Sequence, residues 1–189
     1  MIFVTVGSQL PFDRLITITD KWAKQNQKTE VIAQIGESKL KPLHLRAYKT
    51  MTPKDFNKSM QSADFIVAHA GMGTIITALE MGKPLLVLPR LAKNHEHRND
   101  HQLSTIKRFK DFKSILIAEN EIDLLQKMTD MTQVYKDKTF QNENTLPSEN
   151  LIGSIRNFVA SSSKEDADIA HLTARLIKKL QKLCFKPDY

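Results

Sequence analysis

The sequence contains very little cysteine: Cys184 is the only one among 189 residues. A single cysteine excludes an internal disulfide framework and fits a protein of a reducing compartment. Long apolar runs are also missing, because no stretch approaches the roughly 20 residues that a membrane helix needs. The initial segment MIFVTVG is too short for a signal peptide and has no basic region before it. We therefore expect a cytoplasmic protein, or one held at a membrane by another molecule.

Aromatic residues are scarce, at 7% of the chain, and they are not interleaved with basic residues. Zinc-finger and RNP-like spacings are missing from the sequence too, so nucleic acid is the weakest candidate partner. The chain does have a basic balance, with a net charge of +7 and an isoelectric point of about 9.4. That balance favours an anionic lipid surface or a phosphorylated ligand.

Short apolar segments alternate with amphipathic ones from residue 2 to about 134. The strand candidates, such as IFVTVG and DFIVAHAG, are apolar throughout, which is typical of a sheet covered on both faces. Between them lie helix signals, for example Thr52 as N-cap before Pro53, and Gly82 as a helix stop. Pro11 suits the start of the first helix. This alternation predicts a doubly wound parallel α/β sheet of the Rossmann-like type.

The remainder of the chain has a different composition. Residues 136–150 are polar and turn-rich, which is typical of a linker. Apolar residues recur at helical spacing from about 165 to 184, beside a stripe of basic side chains. Such a stripe is usually a solvated face, and a partner helix or an anionic membrane surface are the alternatives. We predict one domain over residues 1–140, and a linker with a helical extension over residues 141–189.

Three loops that follow predicted strands are rich in small or polar residues: GSQLPFD, HAGMGT and RLAKNHEHRNDHQ. Ligands of doubly wound sheets bind at the carboxyl ends of the strands, so these loops converge on one region. In HAGMGT, glycine allows close approach of the backbone, and the N–H groups of the next helix attract an anion. Thr74 adds a hydroxyl donor. The pattern favours a phosphate or diphosphate, with a purely structural turn as the alternative.

The third loop concentrates histidine, acidic and amide side chains in NHEHRNDHQ. These groups offer the donors and acceptors that sugar hydroxyls require. His97 and His101 are four residues apart, so a metal site is an alternative, although no second cluster of ligands accompanies them. A catalytic base among His95, His97 and His101 is a further alternative. We predict no metal, and the residues themselves single out no catalytic group.

Three ordered motifs resemble the glycosyltransferase family 28 C-terminal domain: MIFVTVGSQLPFDRL, HAGMGTIITALEMGKPLLVLPR and EHRNDHQL. The resemblance covers about residues 1 to 135 and is closest to short, single-domain members from bacterial capsule and exopolysaccharide synthesis. Those members are related to the eukaryotic subunit that adds the second N-acetylglucosamine to dolichol diphosphate. The resemblance implies the C-terminal, nucleotide-sugar half of a GT-B transferase, with a UDP-sugar as donor substrate and no cofactor.

The same resemblance implies a partner and a location. A membrane-anchored second chain would bind a lipid-linked saccharide acceptor. This chain would lie in the cytoplasm, peripheral at the inner face of the plasma membrane through that partner.

The resemblance also implies roles for single residues. One position departs from the family pattern: many relatives carry a ribose-binding glutamate where this chain has Thr77, and the nearest acid is Glu80. The residues implied for nucleotide and diphosphate binding are Gly7, Ser8, Gln9, Met51, Thr52, His69, Gly71, Met72, Gly73 and Thr74. Those implied for donor-sugar binding are Arg98, Asn99, Asp100 and Gln102, of which Arg98 would neutralise diphosphate.

Three functions are compatible with these patterns. The first is the donor-binding subunit of an inverting UDP-hexose transferase that acts on a lipid-linked acceptor. The second is a non-catalytic, regulatory subunit that binds a nucleotide sugar. The missing glutamate and the missing half of a GT-B transferase argue for it. The third is an enzyme that acts alone on a UDP-sugar, such as an epimerase.

Overall fold

Six parallel strands with helices between them form the described part of the chain. The computed structural model describes residues 1–109, 112 and 114–136, without the side chains of His101 and Arg108. The strands are β1 (Ile2–Thr5), β2 (Val31–Gln34), β3 (Arg46–Tyr48), β4 (Phe65–His69), β5 (Leu85–Leu88) and β6 (Ile115–Ile117). The helices are α1 (Asp13–Gln25), α2 (Pro53–Ser62), α3 (Met72–Glu80), α4 (His101–Phe109) and α5 (Glu121–Lys136), and a 3-10 turn spans Ala92–Asn94.

The strand order is β3-β2-β1-β4-β5-β6, and every neighbouring pair is parallel. The chain first runs outward from β1 to β3 and then returns to the other side of β1 with β4. This reversal opens a crevice at the carboxyl ends of β1 and β4. The predicted doubly wound parallel sheet is confirmed.

The core lies between the sheet and the helices that cover it. Strands β1 and β5 are buried along their whole length, because their residues are apolar on both faces, apart from the buried Thr5. Trp22 of α1 is buried, and its indole N–H donates to Thr129 of α5 at 3.0 Å. Helices α1 and α5 are thereby joined at the end of α1 that is remote from the crevice, which leaves the residues before α1 free to form a loop at the strand ends.

The helix boundaries agree with most of the predicted signals. Thr52 caps α2, with its hydroxyl accepting the Asp55 N–H at 3.2 Å, and Gly82 follows α3 with a φ of +60°. Pro11 is not the first residue of α1, because Phe12 is the N-cap and Asp13 is the first helical residue, two positions after Pro11. Helix α3 begins at Met72, so Gly73 and Thr74 of the glycine-rich turn are part of its first turn.

Lys136, the first residue of the predicted linker, is the last residue of α5, and the rest of the linker, the helical extension and the domain boundary at residues 140 and 141 lie outside the described residues. Among the residues that are described, no helix has the length and apolar character to cross a bilayer.

Candidate functional site

Two short loops border the crevice, one after β1 and one after β4. The strands are paired with Thr5 opposite Ala68, so both loops emerge at the same edge of the sheet. Gly7 adopts a φ of +78°, a conformation that favours glycine because a β-carbon makes it strained. The Gly7 N–H donates to Thr5 Oγ1 at 3.2 Å, which directs the chain out of the strand. Ser8 and Gln9 follow and are exposed at the mouth of the crevice.

The imidazole of His69 fills the space between Gly7 and Gly71. A β-carbon on Gly7 would lie 2.6 Å from His69 Cε1, and one on Gly71 would lie 2.0 Å from His69 Nε2. Both distances are too short for real atoms, so a side chain at either position would displace the ring. The two glycines thus leave room for this ring, in addition to allowing the turns of the backbone.

The environment of His69 keeps its ring neutral. Its Nδ1 atom is buried. Burial and the charge of Arg90, with a smaller contribution from His97, lower the pKa of His69 from 6.5 to about 4, although the Thr5 backbone partly opposes the shift. A neutral imidazole donates one hydrogen bond and accepts another, so it can bind a polar ligand group without forming an ion pair.

Helix α3 starts at the crevice with unpaired N–H groups. Its N-cap, Gly71, has no side chain to cap it, and its first turn contains no acidic residue. The Ile75 N–H donates to the Gly71 carbonyl at 3.1 Å, so the N–H groups of Met72, Gly73 and Thr74 have no acceptor within the helix. A β-carbon on Gly73 would meet no atom within 4 Å, so this position faces open space. The N–H groups and the helix dipole together suit an anion.

The loop after β5 lies beside these two, because β5 pairs with β4. Arg98, Asn99 and Asp100 are exposed in this loop, and Asp100 Oδ1 accepts a backbone N–H from the 3-10 turn at 2.8 Å. Gln102 is only 4% exposed, and its Oε1 accepts the Arg90 N–H at 3.0 Å. Three of the four residues predicted to bind a sugar are therefore at the surface, and the fourth is buried with its carbonyl oxygen already paired.

Met51 and Thr52 lie further from the crevice than the other predicted nucleotide-binding residues. They follow β3, the edge strand, which is separated from β1 by β2. Since neighbouring strands are about 4.8 Å apart, β3 lies roughly 10 Å from β1. The Thr52 hydroxyl is engaged in the cap of α2.

Thr77 is engaged within its own helix. Its hydroxyl donates to the Gly73 carbonyl at 2.9 Å, one turn earlier in α3. Glu80 is exposed at the end of α3 that is remote from the crevice. The ribose-binding carboxylate that the family pattern implies therefore has no counterpart at position 77.

The histidines of the third loop are not arranged on one helix. Helix α4 begins at His101, so His97 precedes it in the loop and the two do not share a helical face. In the part of the chain that the structure describes, no three histidine, cysteine or acidic residues form a group that could hold a metal ion.

Three charged residues that sequence patterns did not indicate hold the loops together. Arg14 of α1 donates from Nε and Nη2 to the two carboxylate oxygens of Glu96, at 2.6 and 2.8 Å. Arg90 donates from Nη2 to the carbonyls of Val6, at 2.8 Å, and Leu10. The one available signal for Arg90 was a charged residue directly after the apolar segment LLVLP.

Comparison with known proteins decides the family. The glycosyltransferase family 28 C-terminal domain matches residues 1–168. The chain belongs to this family. The expected family is thus confirmed, over a longer part of the chain than the motifs alone indicated.

This family 28 chain is similar to parts of longer proteins. It is 34% identical over 121 residues to the UDP-N-acetylglucosamine transferase subunit ALG13 of Homo sapiens, covering 56% of this chain and 10% of that protein. It is 25% identical over 118 residues to the UDP-N-acetylglucosamine--N-acetylmuramyl-(pentapeptide) pyrophosphoryl-undecaprenol N-acetylglucosamine transferase of Prochlorococcus marinus (strain MIT 9312), covering 60% and 32%. The chain therefore spans between a tenth and a third of the length of these two curated relatives.

Solved GT-B glycosyltransferases share the fold. Os79 from O. sativa, solved in complex with UDP, superposes with a TM-score of 0.54 at 12% identity. That superposition covers 93% of this family 28 chain and 40% of the Os79 chain. At this identity the likeness establishes the fold alone, and it confirms the predicted GT-B type.

Proposed function

We propose that this chain is the donor-binding subunit of an inverting UDP-hexose glycosyltransferase, which acts on a lipid-linked acceptor in bacterial exopolysaccharide or capsule biosynthesis. The observation that carries the proposal is the arrangement at the reversal of strand order. There, two glycine-bounded turns enclose the neutral ring of His69, and the open N-terminus of α3 faces the same crevice.

The proposed chemistry is stabilisation of a departing diphosphate. Negative charge grows on UDP as the sugar leaves, and the N–H groups at the start of α3 are already oriented toward that charge. The neutral His69 adds a hydrogen bond without competing for a proton. In this scheme the reaction needs no tightly held metal. The diphosphate would be bound by Gly7, Ser8, Gln9, His69, Gly71, Met72, Gly73 and Thr74.

The remaining assignments are part of the same proposal. Met51 and Thr52 would lie on the side of the uridine base. The exposed Arg98, Asn99 and Asp100 would face the donor sugar. For Gln102 the contact would come from its amide nitrogen or from movement of the loop, because its carbonyl oxygen is paired with Arg90.

A second chain completes the proposed enzyme. The human relative is named a transferase subunit, which supports a partner chain here. The name of the Prochlorococcus relative includes a pyrophosphoryl-undecaprenol acceptor, which supports a lipid-linked acceptor here. We place the acceptor site and the base that deprotonates its hydroxyl on a membrane-anchored partner, which would hold this chain at the inner face of the plasma membrane.

Binding of UDP to the chain alone tests the donor site. We expect isothermal titration calorimetry to show one UDP per chain, with affinity at least roughly 10-fold above that of uridine, because hydrogen bonds to charged groups exceed those to neutral groups. The affinity should also fall as salt is added, since the ligand is an anion. A folded chain that gives no heat with UDP contradicts the proposal.

A non-catalytic, regulatory subunit is the second candidate function. The observation in its favour is Thr77, whose hydroxyl is bonded to the Gly73 carbonyl where family relatives carry a carboxylate. Transfer of radiolabelled sugar from UDP-N-acetylglucosamine or UDP-glucose separates the two, using membranes that contain the partner with and without this chain. We expect transfer only when both are present. A partner that retains full transfer alone would make this chain accessory.

A further inference from the structure

Arg90 is a buried cation placed directly beneath the loop after β1. It follows β5 and is 2% exposed. Burial lowers the pKa of its guanidinium, a shift that Glu96 partly opposes, but the group remains charged at neutral pH because the ordinary pKa of arginine is so high. Removing a charge from water costs free energy unless the group is hydrogen-bonded. The hydrogen bonds of the Arg90 guanidinium therefore indicate its role.

The guanidinium closes the loop after β1 on itself. One nitrogen, Nη2, donates to the carbonyls of both Val6 and Leu10. These two residues bracket the exposed Gly7–Gln9 turn, so a single group holds both ends of the turn together. The Gly7 N–H bond to Thr5 Oγ1 and the His69 ring fix the first residue of the turn, whereas Ser8 and Gln9 are exposed.

Arg90 also joins this turn to the loop after β5. Its backbone N–H donates to Gln102 Oε1 at 3.0 Å, which connects it to the first turn of α4. Its guanidinium lies 5.2 Å from the centroid of the Phe12 ring, and that of Arg14 lies at the same distance from this ring. Arg14 in turn is paired with Glu96 in the loop after β5. The turn and the loop therefore belong to one network. Arg90 takes part in it through its guanidinium and through its backbone N–H.

We propose that Arg90 is a positioning residue that fixes the Gly7–Gln9 turn in the shape that receives a diphosphate, without contacting the ligand itself. The inference rests on the proposed donor site. Without Arg90 the turn would be free to move, and it would lose that conformational freedom each time it bound a diphosphate. Part of the affinity for diphosphate therefore depends on Arg90, although this residue lies below the surface.

Arg90→Lys tests the inference, since lysine keeps the charge but ends one bond earlier than Nη2, so its ammonium does not reach both carbonyls. We expect calorimetry to show UDP affinity reduced roughly 10-fold, and uridine affinity changed less than about twofold. Arg46→Lys is the matched control, because Arg46 lies on the edge strand β3, is exposed, and among the described residues pairs only with Glu30, at 3.3 Å. The control should bind both ligands as the unmodified chain does.

The outcomes separate a positioning role from a merely structural one. Equal losses for UDP and uridine, or unchanged UDP affinity in a folded Arg90→Lys chain, overturn the inference. If that variant does not fold, Phe12→Leu removes the aromatic face beside the guanidinium and is expected to give the same selective loss. A failure of the unmodified chain to bind UDP contradicts the proposed function itself, and it is seen before any variant is compared.

Discussion

Gly73→Asp is expected to lower the affinity for UDP by roughly 100-fold while leaving the chain folded. Gly73 lies in the first turn of α3, and a β-carbon there meets no atom within 4 Å, so an aspartate fits without a clash. Its carboxylate would stand beside the proposed position of the diphosphate. Two unit charges about 6 Å apart repel by about 3 kcal/mol at an effective dielectric constant of about 20, which corresponds to a factor of roughly 100 in affinity.

Gly73→Asn is the matched control for charge. Asparagine has nearly the same size and shape as aspartate and is neutral, so it should retain most of the affinity for UDP. Thermal unfolding completes the comparison. An aspartate near a helix N-terminus stabilises the helix by roughly 0.3–1 kcal/mol, so Gly73→Asp should unfold no earlier than Gly73→Asn. If the two variants bind UDP equally, the N-terminus of α3 is not the anion site.

The stability of the chain is expected to fall between pH 6.5 and pH 4 because of His69. The folded state lowers the pKa of this ring to about 4, from the value of 6.5 that it has when unfolded. Between these two values the unfolded chain binds a proton that the folded chain does not. The contribution of His69 is thus fully present above pH 6.5 and is lost as the pH falls toward 4. A shift of this size corresponds to about 3 kcal/mol in the free energy of unfolding.

Urea unfolding at a series of pH values measures this effect. The comparison is between the slope of the unmodified chain and that of His69→Gln, in which the titrating ring is gone. We expect the unmodified profile to be steeper by about one proton over this interval. His44→Gln removes an exposed histidine instead and serves as the control for the substitution itself. Parallel profiles for the unmodified chain and His69→Gln would show that the ring is protonated as easily in the folded state as in the unfolded one.

The fold could be predicted because each element carries its own local signal. The apolar segment of β1 and β5 specifies a buried strand, and the threonine and proline at positions 52 and 53 specify a helix start, with no help from distant residues. Boundaries were less certain, as Pro11 shows. The local pattern did not distinguish the first helical residue from its neighbours, and the structure has Phe12, whose ring contacts Arg14 and Arg90, as the N-cap.

The candidate site could be predicted only as far as it follows from topology. The loops after β1, β4 and β5 had to lie together once the sheet was parallel and doubly wound, so Gly7, His69 and Gly71 were placed in one region by their positions along the chain. The positions of the remaining predicted site residues could not be derived from the topology. Met51 and Thr52 lie two strands away from β1, and Gln102 is buried because its carbonyl oxygen accepts a backbone N–H from the end of β5.

The sequence by itself determined the order of strands and helices along the chain, the parallel sheet and the three loops at its edge. These features depend on apolar periodicity and turn residues, which act over only a few neighbouring residues. Only the tertiary structure decided that one imidazole is enclosed between two glycines and that Arg90 closes the turn after β1. Arg90 is 84 residues from Val6 and 80 residues from Leu10 in the chain, and an arginine after a strand has the same local pattern whether it is solvated or buried. Its role is set by the two carbonyls that the fold brings to it.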